Sequence, residues 1–244
     1  MLRTRRRSSV VAGAAVLAAL YAVLGLIPIS QLVGISSFIT FREALSPLIG
    51  MLLGPFGGMA VFIGVFLDFG LGRPVVFLGL DFLIDLAAVL TAGFALMGRR
   101  RLAVAFPGAL IALFLVSPSS VWLVDVGGVP VPFVWMHVLS VAVVSAALFL
   151  ESKGRIQRLS WAFVGSVVFA STMAGHITGG ILTEYVYLSQ GVLFGAGSAA
   201  AYWSAVFYLY PAERIFLTVL GTAVSVPVLR ALSRRGAAPR TAGP

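Results

Sequence analysis

Residues 41–58 read Phe41-Arg42-Glu43-Ala44-Leu45-Ser46-Pro47-Leu48-Ile49-Gly50-Met51-Leu52-Leu53-Gly54-Pro55-Phe56-Gly57-Gly58. A charged pair opens an apolar run, and a Gly-Pro-Phe-Gly-Gly stretch ends it. Proline lacks an amide donor and glycine tolerates unusual dihedrals, so 54–58 reads as a tight turn between two helices. The flanking apolar segments, 44–54 and 57–71, are short for a bilayer crossing and call for tilt or local thinning.

The rest of the chain has the same character. Of 244 residues, 60% are hydrophobic and only 10% charged, and the mean hydropathy is +1.06. A soluble domain is about a quarter charged, so too few polar side chains exist to cover a water-facing surface. An ordinary soluble enzyme, a disordered chain and a disulfide scaffold are excluded; there is no cysteine. Long continuous apolar runs favour helices over a barrel of alternating strands. The fold class expected is therefore all-α, a polytopic transmembrane helical bundle of about eight helices.

The first crossing runs from about Ser9 to Ile29. It follows a basic start that resembles a signal peptide, but its apolar stretch exceeds a signal core, so it reads as a retained helix. A Ser-rich connection covers Ser30 to Thr40. Further crossings follow near 75–98, 103–123, 132–150, 159–183 and 211–232. Residues 1–8 form a basic cytoplasmic start, 9–232 a single transmembrane domain, and 233–244 a disordered cytoplasmic tail. Segment 185–210 is apolar enough to cross as well, but a ninth crossing would put the terminal arginines outside. It reads as an external re-entrant or interfacial segment, held by Tyr202, Trp203, Tyr208 and Tyr210 near the headgroups.

Charge placement supports this topology. With the N-terminus inside, Arg3, Arg5, Arg6, Arg7, Arg99, Arg100, Arg101, Lys153, Arg155, Arg158, Arg230, Arg234, Arg235 and Arg240 all lie inside. Only Arg42, Arg73 and Arg214 lie outside. Such a bias fixes orientation in a plasma membrane. It also explains the net charge of +9 without nucleic acid.

The eight acids divide the other way. Glu43, Asp68, Asp81, Asp85, Asp125, Glu184 and Glu213 fall in the outer half, and only Glu151 inside. His137 and His176 join the outer layer. Ionised groups inside a bilayer are costly unless paired or hydrated, so this clustering implies a polar cavity open to the outside. Asp81 and Asp85 share one helical face. They could bind an amine or metal cation or pair with Arg42 or Arg73; alternatively Asp81 is interfacial and only Asp85 embedded. Arg42 suits a carboxylate or phosphate, while Glu43 equally suits a helix start. Trp135 and His137 could stack on a planar ligand, or Trp135 could belong to an interfacial belt. His176, among small residues, could meet a ligand or a neighbouring helix. Glu184 completes the candidate substrate-binding set. Glu213-Arg214, after Pro211 at a helix start, reads as an adjacent ion pair closing that end. Two Asp and two His could make a metal site, but their spacing forms no compact motif. No HExxH, GxSxG or Walker A pattern occurs, so no catalytic or metal residue, cofactor or ATP site is assigned.

Two stretches resemble the substrate-binding (S) component of energy-coupling-factor (ECF) vitamin transporters. One is Ala15-Val-Leu-Ala-Ala19-Leu-Tyr-Ala-Val-Leu, at that family's first-helix AxxxA position. The other runs from Phe41-Arg42-Glu43-Ala44 through Pro47 and Leu53-Gly54-Pro55-Phe56-Gly57-Gly58 to Gly64, Asp68 and Gly79-Leu80-Asp81-Phe82. The resemblance covers about residues 10–101, and Leu229-Arg230-Ala231-Leu232 also suits the family. Its members typically have six helices, against the eight read here. The resemblance implies a non-enzymatic subunit that captures a vitamin or related metabolite in an outward-facing pocket. It also implies partners: a transmembrane coupling subunit and two cytoplasmic ATPases that supply the energy. The coupling subunit would dock on the small-residue face of helix one, where Ala15 and Ala19 hold the motif and Ala18 and Ala22 form a neighbouring pair. The binding subunit is then expected to topple in the membrane. The competing functions are an ion- or proton-coupled secondary transporter, which needs a relay or inverted repeat, and an intramembrane enzyme using Asp81, Asp85, His137 or His176.

Overall fold

The computed structural model describes residues 7–34, 37–188 and 199–237. Eight α-helices occur among them: α1 (Arg7–Gly25), α2 (Arg42–Leu53), α3 (Gly57–Gly70), α4 (Phe82–Leu96), α5 (Arg100–Leu115), α6 (Trp135–Ser152), α7 (Trp161–Thr183) and α8 (Ala199–Ala237). A 3-10 turn, Gly54–Phe56, joins α2 to α3, and a π-helical turn, Glu184–Leu188, ends α7. Four helical stretches are long and apolar enough to span a membrane: Arg42–Gly70, Trp135–Ser152, Trp161–Leu188 and Ala199–Arg234.

The first of these doubles back. A straight helix would separate Arg42 from Asp68 by roughly 39 Å at 1.5 Å per residue. Instead the Arg42 guanidinium is paired with the Asp68 carboxylate. The reversal sits at Gly54, whose φ of 62° lies in the left-handed region, followed at once by Pro55. The turn expected at 54–58 is thus present, and it brings the start of α2 and the end of α3 to one level.

The helices pack closely. Gly50 on α2 faces the backbone carbonyl of Val89 on α4, with no room for a side chain between them. Helix α7 runs through the middle of the bundle, against α4, α5, α6 and α8. Its Phe163, Val164, Val167, Val168 and Ala170 are fully buried. They form one core cluster with Ile49, Val61, Val89 and Val144.

Four departures from the expected all-α bundle appear. First, there are two β-hairpins. Strands β1 (Pro28–Gln31) and β2 (Phe38–Thr40) pair antiparallel, as do β3 (Leu123–Val126) and β4 (Val129–Pro132). Pro28, Pro130 and Pro132 lack the donors a helix needs, and the alternating residues around Gly127-Gly128 suit a two-residue turn. Second, the crossings expected at 75–98 and 103–123 are shorter as helices, which begin at Phe82 and end at Leu115. Third, residues 199–210 are no re-entrant segment. They are the first turns of α8, which continues through Pro211. Trp203 and Tyr210 are buried in a core cluster with Phe114 and Phe133 rather than placed at an interface. Residues 189–198 of that expected segment lie outside the described residues. Fourth, α8 reaches Ala237, past the tail boundary expected at 233.

The two ends of the bundle differ in charge. At one end Glu151 bonds Arg100 at 3.0 Å and Arg158 at 2.8 Å, and Arg230 donates to the Leu159 carbonyl. These pairs are largely exposed and contribute little stability. The other seven acids lie toward the opposite end. Helix α1 also has two faces. Ala18 and Ala22 are 1% and 3% exposed and pack inside the chain, so they are not available to a partner. Ala15 and Ala19 face outward. Ala18→Leu is therefore expected to overpack the α1–α3 contact and cost about 1–3 kcal/mol. Ala19→Leu should leave the melting temperature near wild type, and thermal unfolding of the two variants in detergent separates the faces.

Candidate functional site

Four segments converge on a buried polar network. Tyr21 of α1 donates to Asp85 Oδ2 at 2.5 Å, and Ser46 of α2 donates to Asp85 Oδ1 at 2.6 Å. The Arg42 Nε lies 3.7 Å from Asp85 Oδ2, while its Nη1 bonds Asp68. Arg73, in the connection after α3, lies 3.4 Å from the same Asp68 oxygen. Arg73 also donates to the carbonyls of Gly25 at 3.2 Å and Phe38 at 3.0 Å, tying α1 and β2 to the network. Burial and the neighbouring Arg42 charge pull its guanidinium below the ordinary arginine range, against the opposing pull of Asp68. The result is a string of alternating sign: Asp85, Arg42, Asp68, Arg73.

Beside this string lies a cavity of about 100 Å³, between the β1–β2 hairpin, the start of α2, the approach to α4, the last turns of α7 and one face of α8. On α8 that face carries Tyr202, Val206, Leu209 and Glu213, spaced three or four residues apart as one side of a helix requires. Four carboxylates (Glu43, Asp81, Asp85, Glu213) and three guanidiniums (Arg42, Arg73, Arg214) line it. Arg214 reaches across from α8 to Glu43 of α2 at 2.9 Å, while its neighbour Glu213 is 3.8 Å away and instead accepts the Ser30 hydroxyl at 2.5 Å. The expected adjacent pair is present but loose, and the tighter contact is a cross-helix clamp to Glu43: long range in sequence, in mid-helix, and on the cavity wall. A cavity of this size is larger than a single water needs, and polar groups convergent from several elements are what a small-molecule site uses.

The candidate residues separate into three groups. Arg42, Glu43, Asp81, Asp85 and His176 line the cavity. Asp81 and Asp85 do not act as a pair: Asp81 accepts the backbone amides of Val76 and Phe77 at 3.3 and 3.0 Å, and Asp85 belongs to the Arg42 string. Both are buried within the chain. His137 and Glu184 are buried one layer behind the wall. His137 touches His176. Glu184 accepts from the Ser119 amide and the Trp203 indole, both at 2.8 Å, and so anchors a cavity-lining ring. Trp135, at the start of α6, is 39% exposed and outside the cavity; two residues apart on a helix point in different directions. Among the described residues no three His, Asp or Glu side chains converge as metal ligands would.

Tyr21, Ser46, Arg214, Tyr202 and Trp203 belong to the site or its support and carry no motif. Asp68 and Arg73 were visible as isolated polar residues in apolar sequence, and that isolation was their signal. Compared with protein-family models, with curated proteins and with solved structures, the chain matches none.

Proposed function

We propose that the chain is the membrane-embedded substrate-capture subunit of an ATP-driven importer of the energy-coupling-factor type. It spans the plasma membrane with eight helices and binds a small vitamin or related metabolite in an outward-facing pocket. One observation carries this reading: a cavity walled by both charge signs and by aromatic rings sits toward the end of the bundle opposite the arginine-rich end. Basic ends face the cytoplasm, so the cavity opens outward. The ligand would sit against the Arg214–Glu43 clamp, where its own polar groups compete for both partners, with Tyr202 and Trp203 covering an apolar face.

The outward Ala15 and Ala19 of α1 suit the approach of a coupling helix, because small side chains let helix backbones come close. Two ATPases on the cytoplasmic side of that partner would supply the energy. A proton relay is less well supported: among the described residues the arginine-rich end holds one acid, Glu151, already engaged by two arginines.

The purified chain is expected to carry a stoichiometric small metabolite, identified by mass spectrometry after release from mild detergent. In sealed vesicles it should bind that compound without concentrating it, and ATP-driven uptake should appear only with the coupling subunit and ATPases. Concentrative uptake by the chain alone, abolished by a protonophore, would overturn the proposal in favour of a secondary transporter.

A further inference from the structure

His137 and His176 face each other with their rings 14° from parallel and centroids 5.1 Å apart, and His137 Nε2 lies 2.9 Å from His176 Nδ1. The Tyr210 ring stacks on His176 at 4.8 Å and lies 5.5 Å from His137. His176 lines the cavity; His137 is 1% exposed and does not reach it. His137 Nδ1 is buried without a hydrogen-bond partner.

That orphan atom decides where the protons are. Neither ring has a carboxylate partner among the described residues, so nothing compensates an imidazolium, and both rings are neutral. A neutral imidazole carries one N–H and one bare nitrogen. Buried N–H groups without an acceptor are rarer in proteins than under-satisfied acceptors. The bare nitrogen of His137 is therefore Nδ1, and its Nε2–H donates to His176 Nδ1. That bond leaves His176 protonated at Nε2, the ring nitrogen not engaged by His137. We infer that His137 is a positioning residue that fixes His176 as an Nε2–H donor at the cavity wall. The ligand it selects presents an acceptor there, a carbonyl oxygen or an unprotonated ring nitrogen. A ligand offering an ammonium or N–H at that wall is disfavoured.

The ligand consequence rests on the cavity being the capture site, but the tautomer does not. The chain has two histidines in all, so ¹⁵N-histidine labelling gives two ring spectra, assigned by single substitution. The protein is purified through a histidine-free tag and placed in lipid nanodiscs at neutral pH. Both rings are expected as neutral Nε2–H tautomers. His137→Gln, whose amide can still donate, should keep His176 in that form. His137→Leu should shift a measurable fraction to the Nδ1–H form. A wild-type His176 found as Nδ1–H or as imidazolium overturns the inference, as does a tautomer unchanged in His137→Leu. If that variant does not fold, the wild-type and His137→Gln spectra decide alone. Failure here leaves the vesicle uptake test standing, and failure of that test leaves the tautomer result standing.

Discussion

Replacing Arg42 with Met is expected to cost about 3–5 kcal/mol, because removing one partner of a buried ion pair leaves the other charge uncompensated. Here two carboxylates lose their partner. Asp68 is fully buried, and its Oδ1 already lacks a hydrogen bond. Asp85 would keep Tyr21 and Ser46 but no nearby cation. Asp68 would keep only Arg73 at 3.4 Å. The melting temperature in detergent should fall by roughly 10 °C for a chain of this size. The double variant Arg42→Met, Asp68→Asn should melt above the value expected from adding the two single losses, since it removes the stranded charge along with its partner. A single Arg42→Met variant that melts with the wild type would mean that the string is not closed in the folded protein.

The second large effect concerns a residue without a side chain. Gly50→Ala is expected to destabilise by about 3 kcal/mol, the upper part of the range for overpacking, because the added carbon meets the Val89 backbone rather than a movable side chain. The change also reaches the cavity. Ser46 lies one turn along α2 from Gly50 and bonds Asp85 of α4, so separating the two helices opens that hydrogen bond and widens the cavity floor. Gly108→Ala on α5 is the control, since nothing lies within 4 Å of its added carbon. It should be neutral or slightly stabilising, because alanine favours a helix by about 1 kcal/mol over glycine. Equal melting temperatures for the two variants would show that α2 and α4 are not in close contact.

Much of this arrangement was legible in the chain. Hydropathy marks roughly where most of the helices lie but not where α4 begins, α5 ends or α8 begins. The gathering of seven acids toward one end could be read by alternating the crossings, because charge alone sets that order. What could not be read is which polar groups meet. Arg214 bonds Glu43, 171 residues away, at 2.9 Å and holds its neighbour Glu213 only loosely at 3.8 Å, and only helix packing sets that order. From sequence, Trp203 reads as interfacial because its indole is polar at one edge. In the structure that edge has a buried carboxylate, Glu184, as partner, and the ring packs inside. The four alanines of α1 divide into a buried and an outward pair, a distinction that depends on how the helix is rotated. The second β-hairpin did leave a signal: Val126-Gly127-Gly128-Val129 has the two-residue turn of a hairpin between alternating side chains. It was masked by the apolar run before it.

The string Asp85, Arg42, Asp68, Arg73 carries two negative and two positive groups in series. One unbalanced charge crossing a membrane voltage of about 100 mV would exchange about 2.3 kcal/mol with the field. The string as a whole, having no net charge, exchanges none on displacement along that field. Voltage therefore neither pulls nor pushes this buried cluster along the field, and its ionised groups carry no net charge to be moved.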